Sequence, residues 1–356
     1  MMKSMGFSGS YEPQDVTFLL KPVELNETDV ATKEALIQSG ARHYSEMLSP
    51  EEPPSAEYLE LFEAALARNG ARLAADIEAL AASLDARQSQ GREIVLISLV
   101  RAGTPIAILI ARALRRLGRN VAHYAVSIIR DRGIDPVAMA HILQNHEAQD
   151  IVFVDGWTGK GAIATELRAS LAGIMNPFLV VVADPAGQAD LAATHDDYLI
   201  ASGLLNSIVS GLVSRSILNK EIMAPTDFHA CVMFDDLAPF DRSRDFVDHI
   251  DALSEAAGPI VVQPSVRAAA HEACENMVVS ILAETQVGNR NLVKPGIAEA
   301  TRVMLRRVPD RLYIRDKADP DVQHLIHLAN AKGVHIEPLN YAGHFRAVAV
   351  IRSLKA

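Results

Sequence analysis

IVFVDGWTGKGAIATEL, residues 151–167, is the stretch on which the reading of this chain turns. Ile151–Val154 is an apolar, mostly β-branched run with no polar face, which suits a strand buried on both sides of a parallel sheet. The run ends in Asp155. Three glycines, Gly156, Gly159 and Gly161, follow at once, and a helical segment begins at Ala162. Glycine lets the backbone turn tightly and approach a ligand. The first turn of a helix adds unsatisfied N–H donors and partial positive charge. Together they predict an anion site suited to a phosphate, with Lys160 adding a full charge. A Walker loop is excluded, because Gly156 to Lys160 is too short and Gly161 stands where the magnesium-binding Ser or Thr belongs.

Upstream, EIVLISLV (93–100) reads as another buried strand, followed by the turn RAGTP (101–105) and the helix PIAILIARALRRLG (105–118). NVAHYAVSII (120–129), PFLVVVADP (177–185) and HACVMF (229–234) are further predicted strands. Residues 56–84, 205–217, 241–253 and 266–285 are predicted helices, the first bent or divided at Gly70. Strands alternating with helices imply an α/β fold with a doubly wound parallel sheet. Ligands bind such sheets at the carboxyl ends of the strands, which puts 101–105 and 155–161 on one edge. Arg101 can grip anionic oxygens bidentately, and Arg130 and Arg132 in SIIRDRGID (127–135) are within reach of the same edge on this reading. His43, Tyr44 and Trp157 are aromatic candidates for stacking on a base, with ordinary packing favoured for the first two.

The pattern restarts after residue 285, with a helix at 297–307, a strand at 311–316, a helix at 319–333 and two final strands. Residues 290–356 carry 12 Lys+Arg against 6 Asp+Glu, so this tail is +6 and the remainder −16 of a net −10. A basic unit on an acidic body predicts an anionic partner at the tail. No segment has about 18 uncharged apolar residues, so no membrane span is expected. The first ten or so residues look loose and lack a signal core, and two cysteines make no disulfide framework, so a cytoplasmic protein is expected. Cys231 and Cys274 fall in an apolar strand and a helix, where a core thiol is the expected role; a cysteine hydrolase is the weakest of the readings.

The two glycine loops resemble those of phosphoribosyltransferases. The apolar run, Asp155, Thr158, Gly159 and Gly161 match the diphosphosugar loop, with Gly156 where a second acid is usual, and Arg101, Ala102, Gly103 and Thr104 match the pyrophosphate turn. That resemblance implies Asp155 on the ribose hydroxyls directly or through Mg2+, Thr158–Ala162 on the 5′-phosphate, Trp157 beside them, and Asp155, Arg101 and Lys160 as the catalytic set. It implies transfer of phosphoribose from phosphoribosyl pyrophosphate, or else a non-catalytic sensor of such a compound. Across nearly the whole chain, FSGSYEPQDVTFLLK, HYSEMLSPE, SLVRAGTP, VDGWTGKG, SGLLNSIVSGLVSR and LAPFDRSR resemble a bacterial family of tellurite-resistance and stress operons. Some of its members are labelled StiP, with a suggested cysteine protease activity. The tail resembles pelota-like RNA-binding domains through Gly296, Glu299 and Arg302, with Ala298 in place of the usual Asn; Arg306 lies four residues on, and the resemblance implies RNA contact by these residues. The expected divisions are 1–90 as an N-terminal extension, 91–286 as the phosphoribosyltransferase-like domain and 290–356 as the pelota-like domain. The oligomeric state stays open, a homodimer included.

Overall fold

The computed structural model describes residues 6–353. Its centre is a sheet of six parallel strands: β1 (Thr17–Phe18), β2 (Ile94–Leu99), β3 (Val121–Val126), β4 (Ile151–Trp157), β5 (Leu179–Ala183) and β6 (Leu191–Thr194), in the order β1-β3-β2-β4-β5-β6. All six residues of β2 and all five of β5 are buried, as continuous apolar runs require of a sheet covered on both faces. Alternate residues serve two cores. Leu96, Val152, Val154 and Val180 join one, while Val95, Ile97, Phe153 and Val181 join the other. Burying each such side chain contributes roughly 1.5–3 kcal/mol.

The first core is closed by α2 (Ala56–Arg87) and α3 (Gly103–Arg116), and the second includes residues of α4 (Pro136–Leu143) and α5 (Ala162–Ser170). Residues 17–18 thus supply an edge strand and 56–87 a covering helix to the same body as the sheet. Gly70 does not divide α2, which runs unbroken through it. A Cβ there would lie 3.3 Å from Leu253 and 3.4 Å from Ile250, so glycine lets α6 (Ser243–Ala252) come close. Residues 1–5 of the expected loose start lie outside the described residues, but Phe7 pairs with Phe18 and the Ser10 amide donates to Gly211 O at 3.1 Å.

Residues 205–217 are not a helix. Only Ser207–Val209 make a 3-10 turn, and Gly211 and Leu212 take φ of 77° and 59°, which a right-handed helix cannot hold. The strand expected at 229–234 shrinks to Ala230–Cys231, paired with Lys21–Pro22. After α7 (Pro264–Thr285) comes a second unit, with the four-stranded sheet β7 (Val293–Pro295), β10 (Ala347–Ile351), β8 (Pro309–Ile314) and β9 (His335–Pro338) in that order, and helices α8 (Ile297–Arg306) and α9 (Gln323–Ala331). No helix among the described residues is long and apolar enough to cross a membrane.

The second unit is bolted to the first by buried polar contacts. Asp197 accepts from the Ile297 amide at 3.1 Å and from the Arg346 amide at 2.9 Å. Arg346 also reaches Asp196, and Arg68 of α2 reaches Asp321 at 3.2 Å. Deep placement pushes the Asp197 carboxyl up to about 7.

Candidate functional site: a cationic cavity between the two units

The carboxyl edge of β4 and one face of α8 border a cavity of about 330 Å³. The sequence-predicted residues Asp155, Trp157, Thr158, Gly159, Lys160, Gly161 and Ala162 line one side; Glu299, Arg302 and Arg306 line the other. Gly161 adopts φ of +86° directly before α5, a conformation that glycine takes without strain, and a Cβ there would strike Gln188. Gly159 lies against α8: a Cβ would sit 3.3 Å from Glu299 Cγ and 3.5 Å from Pro295 O. The helix that carries the RNA-binding resemblance therefore faces the sheet edge rather than open solvent.

Several of the predicted site residues have partners within the fold or lie away from the cavity. Thr158 Oγ1 is committed to Asp184 Oδ1 at 2.6 Å. Lys160 Nζ donates to the carbonyls of Arg290 at 2.5 Å and Val293 at 2.8 Å, tying the loop to the start of the second unit. Arg101 points into an ion pair with Glu51 at 2.8 Å and donates to Val213 O at 3.2 Å; with Ala102 it borders a separate crevice of about 10 Å³. Gly103 is a packing glycine, because a Cβ would lie 2.2 Å from Val154 O. Thr104 is fully buried, and Gly296 takes φ of +101° against Phe345 at the start of α8. Arg101, Gly103, Thr104 and Gly296 thus lie outside the cavity.

Three cations that the sequence pattern did not single out complete the wall, Lys33 of α1 (Val30–Ser39), Arg215 and Lys294 of β7, together with Arg307 and the expected Arg130 and Tyr44. In total eight Lys and Arg side chains face two carboxylates, Asp155 and Glu299. The crowding shows in their acidities. Removal from bulk water, aided by Arg215, Arg306 and Arg307, pushes Lys33 down to about 6. The same removal, with Lys294, Arg130 and Arg290 nearby, pushes Lys160 down to about 6. It brings Lys294 to about 8 and Arg306 to about 9. Deep placement pushes Asp155 up to about 7, against the Gly156 amide that donates to its Oδ1 at 2.8 Å.

Some of these charges are neutralised. Arg307 holds Glu34 at 2.5 and 2.9 Å, and Arg215 donates to the carbonyls of Tyr44 and Met47. Burial would raise Glu51, but Arg101 and Arg306 overcome it and hold it at about 2. Arg306 is the exception. Its Nη2 stands 3.6 Å from Glu51, beyond hydrogen-bond range, and both Nε and Nη2 are buried without a hydrogen-bond partner. Glu51 is its ion-pair partner, yet buried polar groups are nearly always hydrogen-bonded, so two unbonded guanidinium nitrogens beside a cavity leave room for a further acceptor.

Two further polar clusters are closed. Ser127 Oγ meets His229 Nδ1 at 2.7 Å, and Asp135 Oδ2 accepts from the His229 amide rather than from its ring. His123 bridges Ser98 Oγ at 2.8 Å and Asp15 O at 2.7 Å. Both cysteines are buried, and burial pushes each thiol up to about 12.

Residues 9–251 match the family described as tellurite-like stress resistance cysteine protease StiP. The chain belongs to this family. The cysteine protease StiP of Acinetobacter baylyi is 42% identical over 371 aligned residues, covering 99% of this chain and 96% of that protein. Residues 272–353 match the PELOTA RNA-binding domain. A hypoxanthine phosphoribosyltransferase from Trypanosoma cruzi, complexed with its product IMP, aligns with 55% of this chain and 93% of its own at 13% identity and a TM-score of 0.25, too slight a likeness to carry an argument.

These findings overturn the phosphoribosyl-transfer reading. A family and a full-length relative both described as cysteine proteases stand against it. The geometry agrees at Arg101, which pairs with Glu51 and lies outside the cavity. Phosphoribosyl pyrophosphate and the magnesium tied to that reaction have no support in the relatives. What stands is the parallel α/β sheet and a C-terminal unit that matches an RNA-binding domain.

Proposed function

We propose that the protein serves stress resistance by binding a phosphate-bearing anion in the cavity between its two units. One observation carries the reading: Arg306 presents two buried nitrogens without a hydrogen bond in a wall where eight Lys and Arg side chains meet two carboxyl groups. Gathering like charges away from water destabilises the empty fold, and a polyanion offsets that cost through charge-assisted hydrogen bonds. The backbone of Gly159–Ala162 at the start of α5 supports the same ligand class. Calorimetric titration with inorganic triphosphate tests this. Wild type should bind and Arg306→Met should bind at least tenfold more weakly; no binding to a folded wild type defeats the reading.

A second reading follows from the relatives' description as cysteine proteases. Cys231 is the sole cysteine within the matched residues 9–251, and His229 precedes it by two positions. A nucleophile must ionise and reach a substrate. Cys231 is fully buried with its thiol raised to about 12, and the His229 ring is engaged by Ser127. Peptidase activity at Cys231 therefore requires the 230–231 and 21–22 pairing to open. Iodoacetamide labelling with a fluorescent casein assay separates the readings. Native labelling of Cys231 with loss of hydrolysis favours the peptidase; an inert thiol favours anion binding.

A further inference from the structure

We infer that the cavity takes the phosphorylated end of a single-stranded RNA, whose following nucleotides run out along an adjoining groove. This rests on the anion-binding reading and names its ligand class. A groove of about 750 Å³ shares Ile37, Tyr44, Arg130 and Arg307 with the cavity, so the two adjoin. Arg42 and Arg132 add cations to the groove, where Glu46 pairs with Arg132 and Asp131 with Arg130.

Two features of this path suit nucleotides better than a free small anion. The first is stacking. Tyr44 lies where cavity and groove meet, with His43 at 4.5 Å and the guanidinium groups of Arg130 and Arg215 at 5.3 and 5.2 Å from its ring. Trp157 in the cavity has Arg302 at 5.0 Å. Aromatic rings in a basic channel are the elements on which unpaired bases stack, contributing about 1–3 kcal/mol per base. The second is an orphan ring nitrogen. His43 Nδ1 meets Ser45 Oγ at 2.8 Å and the Ser45 amide at 3.3 Å, and His43 Nε2 is buried without a partner at the groove wall. A ribose hydroxyl, which both donates and accepts, supplies the partner it lacks in either tautomer.

Enclosure then selects the form of RNA. Glu299 and Ala298 of α8 are packed against Gly159 and Gly203, so RNA meets this helix only through the cavity. About 330 Å³ has room for about one nucleotide and none for a base-paired duplex. A strand must therefore enter by its end.

The test is fluorescence anisotropy on the full chain with octamer RNAs of one sequence: 5′-phosphorylated, 3′-phosphorylated, hydroxyl-ended, circularised, and annealed to a blunt duplex. One phosphorylated linear form should bind at least tenfold more tightly than the circle and the duplex, and inorganic triphosphate should displace it. His43→Ala should weaken RNA binding severalfold while leaving triphosphate affinity unchanged, with unfolding midpoints checking that the variant folds. A circle or duplex that binds as tightly as the linear strand overturns the inference. So does RNA that binds no better than triphosphate, an outcome that leaves the anion-binding reading standing. Failure of triphosphate to bind at all removes the reading beneath it.

Discussion

Two arginines of this chain, Arg119 buried and Arg306 half-buried, have opposite surroundings. Arg119, at the turn after α3, donates from Nε to Asp85 Oδ1 at 2.5 Å, from Nη1 to Ser89 O at 2.8 Å, and from Nη2 to the carbonyls of Asp85 and Gln88 at 2.7 Å. It caps the C-terminal end of α2, where helix carbonyls lack internal partners and partial negative charge collects. Arg306, at the end of α8, has two nitrogens without a partner and lies among other cations. One guanidinium is fully bonded within the fold; the other has an ion pair with Glu51 at 3.6 Å and two nitrogens left without a hydrogen bond. On the anion-binding reading proposed above, that difference separates a structural charge from a ligand-binding one.

The comparison breaks most visibly at its structural end. Arg119→Ala strips Asp85 and three carbonyls of their donor and should cost about 3 kcal/mol of stability, read from urea unfolding. Arg306→Met should shift the same measurement by less than about 1 kcal/mol, because Glu51 keeps Arg101 at 2.8 Å and the Ser207 amide at 3.0 Å. A loss as large as that of Arg119→Ala would mean that Arg306 is structural too.

The cavity lysines sharpen the contrast through pH. Lys33 and Lys160 fall from an ordinary 10.5 to about 6, so between those values the unfolded chain binds more protons and stability rises with pH. Asp155 and Asp197 titrate near 7 and leave the range above that unaffected. The unfolding midpoint should therefore climb from pH 7.5 to 9, and Lys33→Met should flatten the climb. Triphosphate, by favouring the charged lysines, should bind with proton uptake at pH 8, seen as a buffer-dependent binding enthalpy. The smallest effect concerns the thiols. With burial pushing both up to about 12, neither Cys231 nor Cys274 should react with a disulfide reagent until denaturant is added.

Much of the fold was legible because it rests on unbroken apolar runs. IVLISL and LVVVA can only be strands buried on both faces, and the glycine loop after Asp155 does turn into α5 at the cavity. Residues 205–217 misled because their apolar spacing resembles a helix, while Gly211 and Leu212 at positive φ break it and Gly9 packs onto Gly211. The site was half legible. Asp155, Trp157 and Lys160 sit beside a recognisable motif, whereas Lys33, Arg215 and Lys294 come from three distant segments and converge only in the folded chain. Arg101 shows the converse limit. Its turn has the look of an anion loop, but Glu51, fifty residues earlier, has taken the charge.

The measurement that tests the central claim most directly is a crystal structure grown with tungstate, a phosphate-like anion located by its anomalous scattering. A peak within hydrogen-bond distance of Arg306 Nε or Nη2, lost in Arg306→Met, is the predicted result. Peaks confined to the outer surface, with the cavity holding only water, would contradict it.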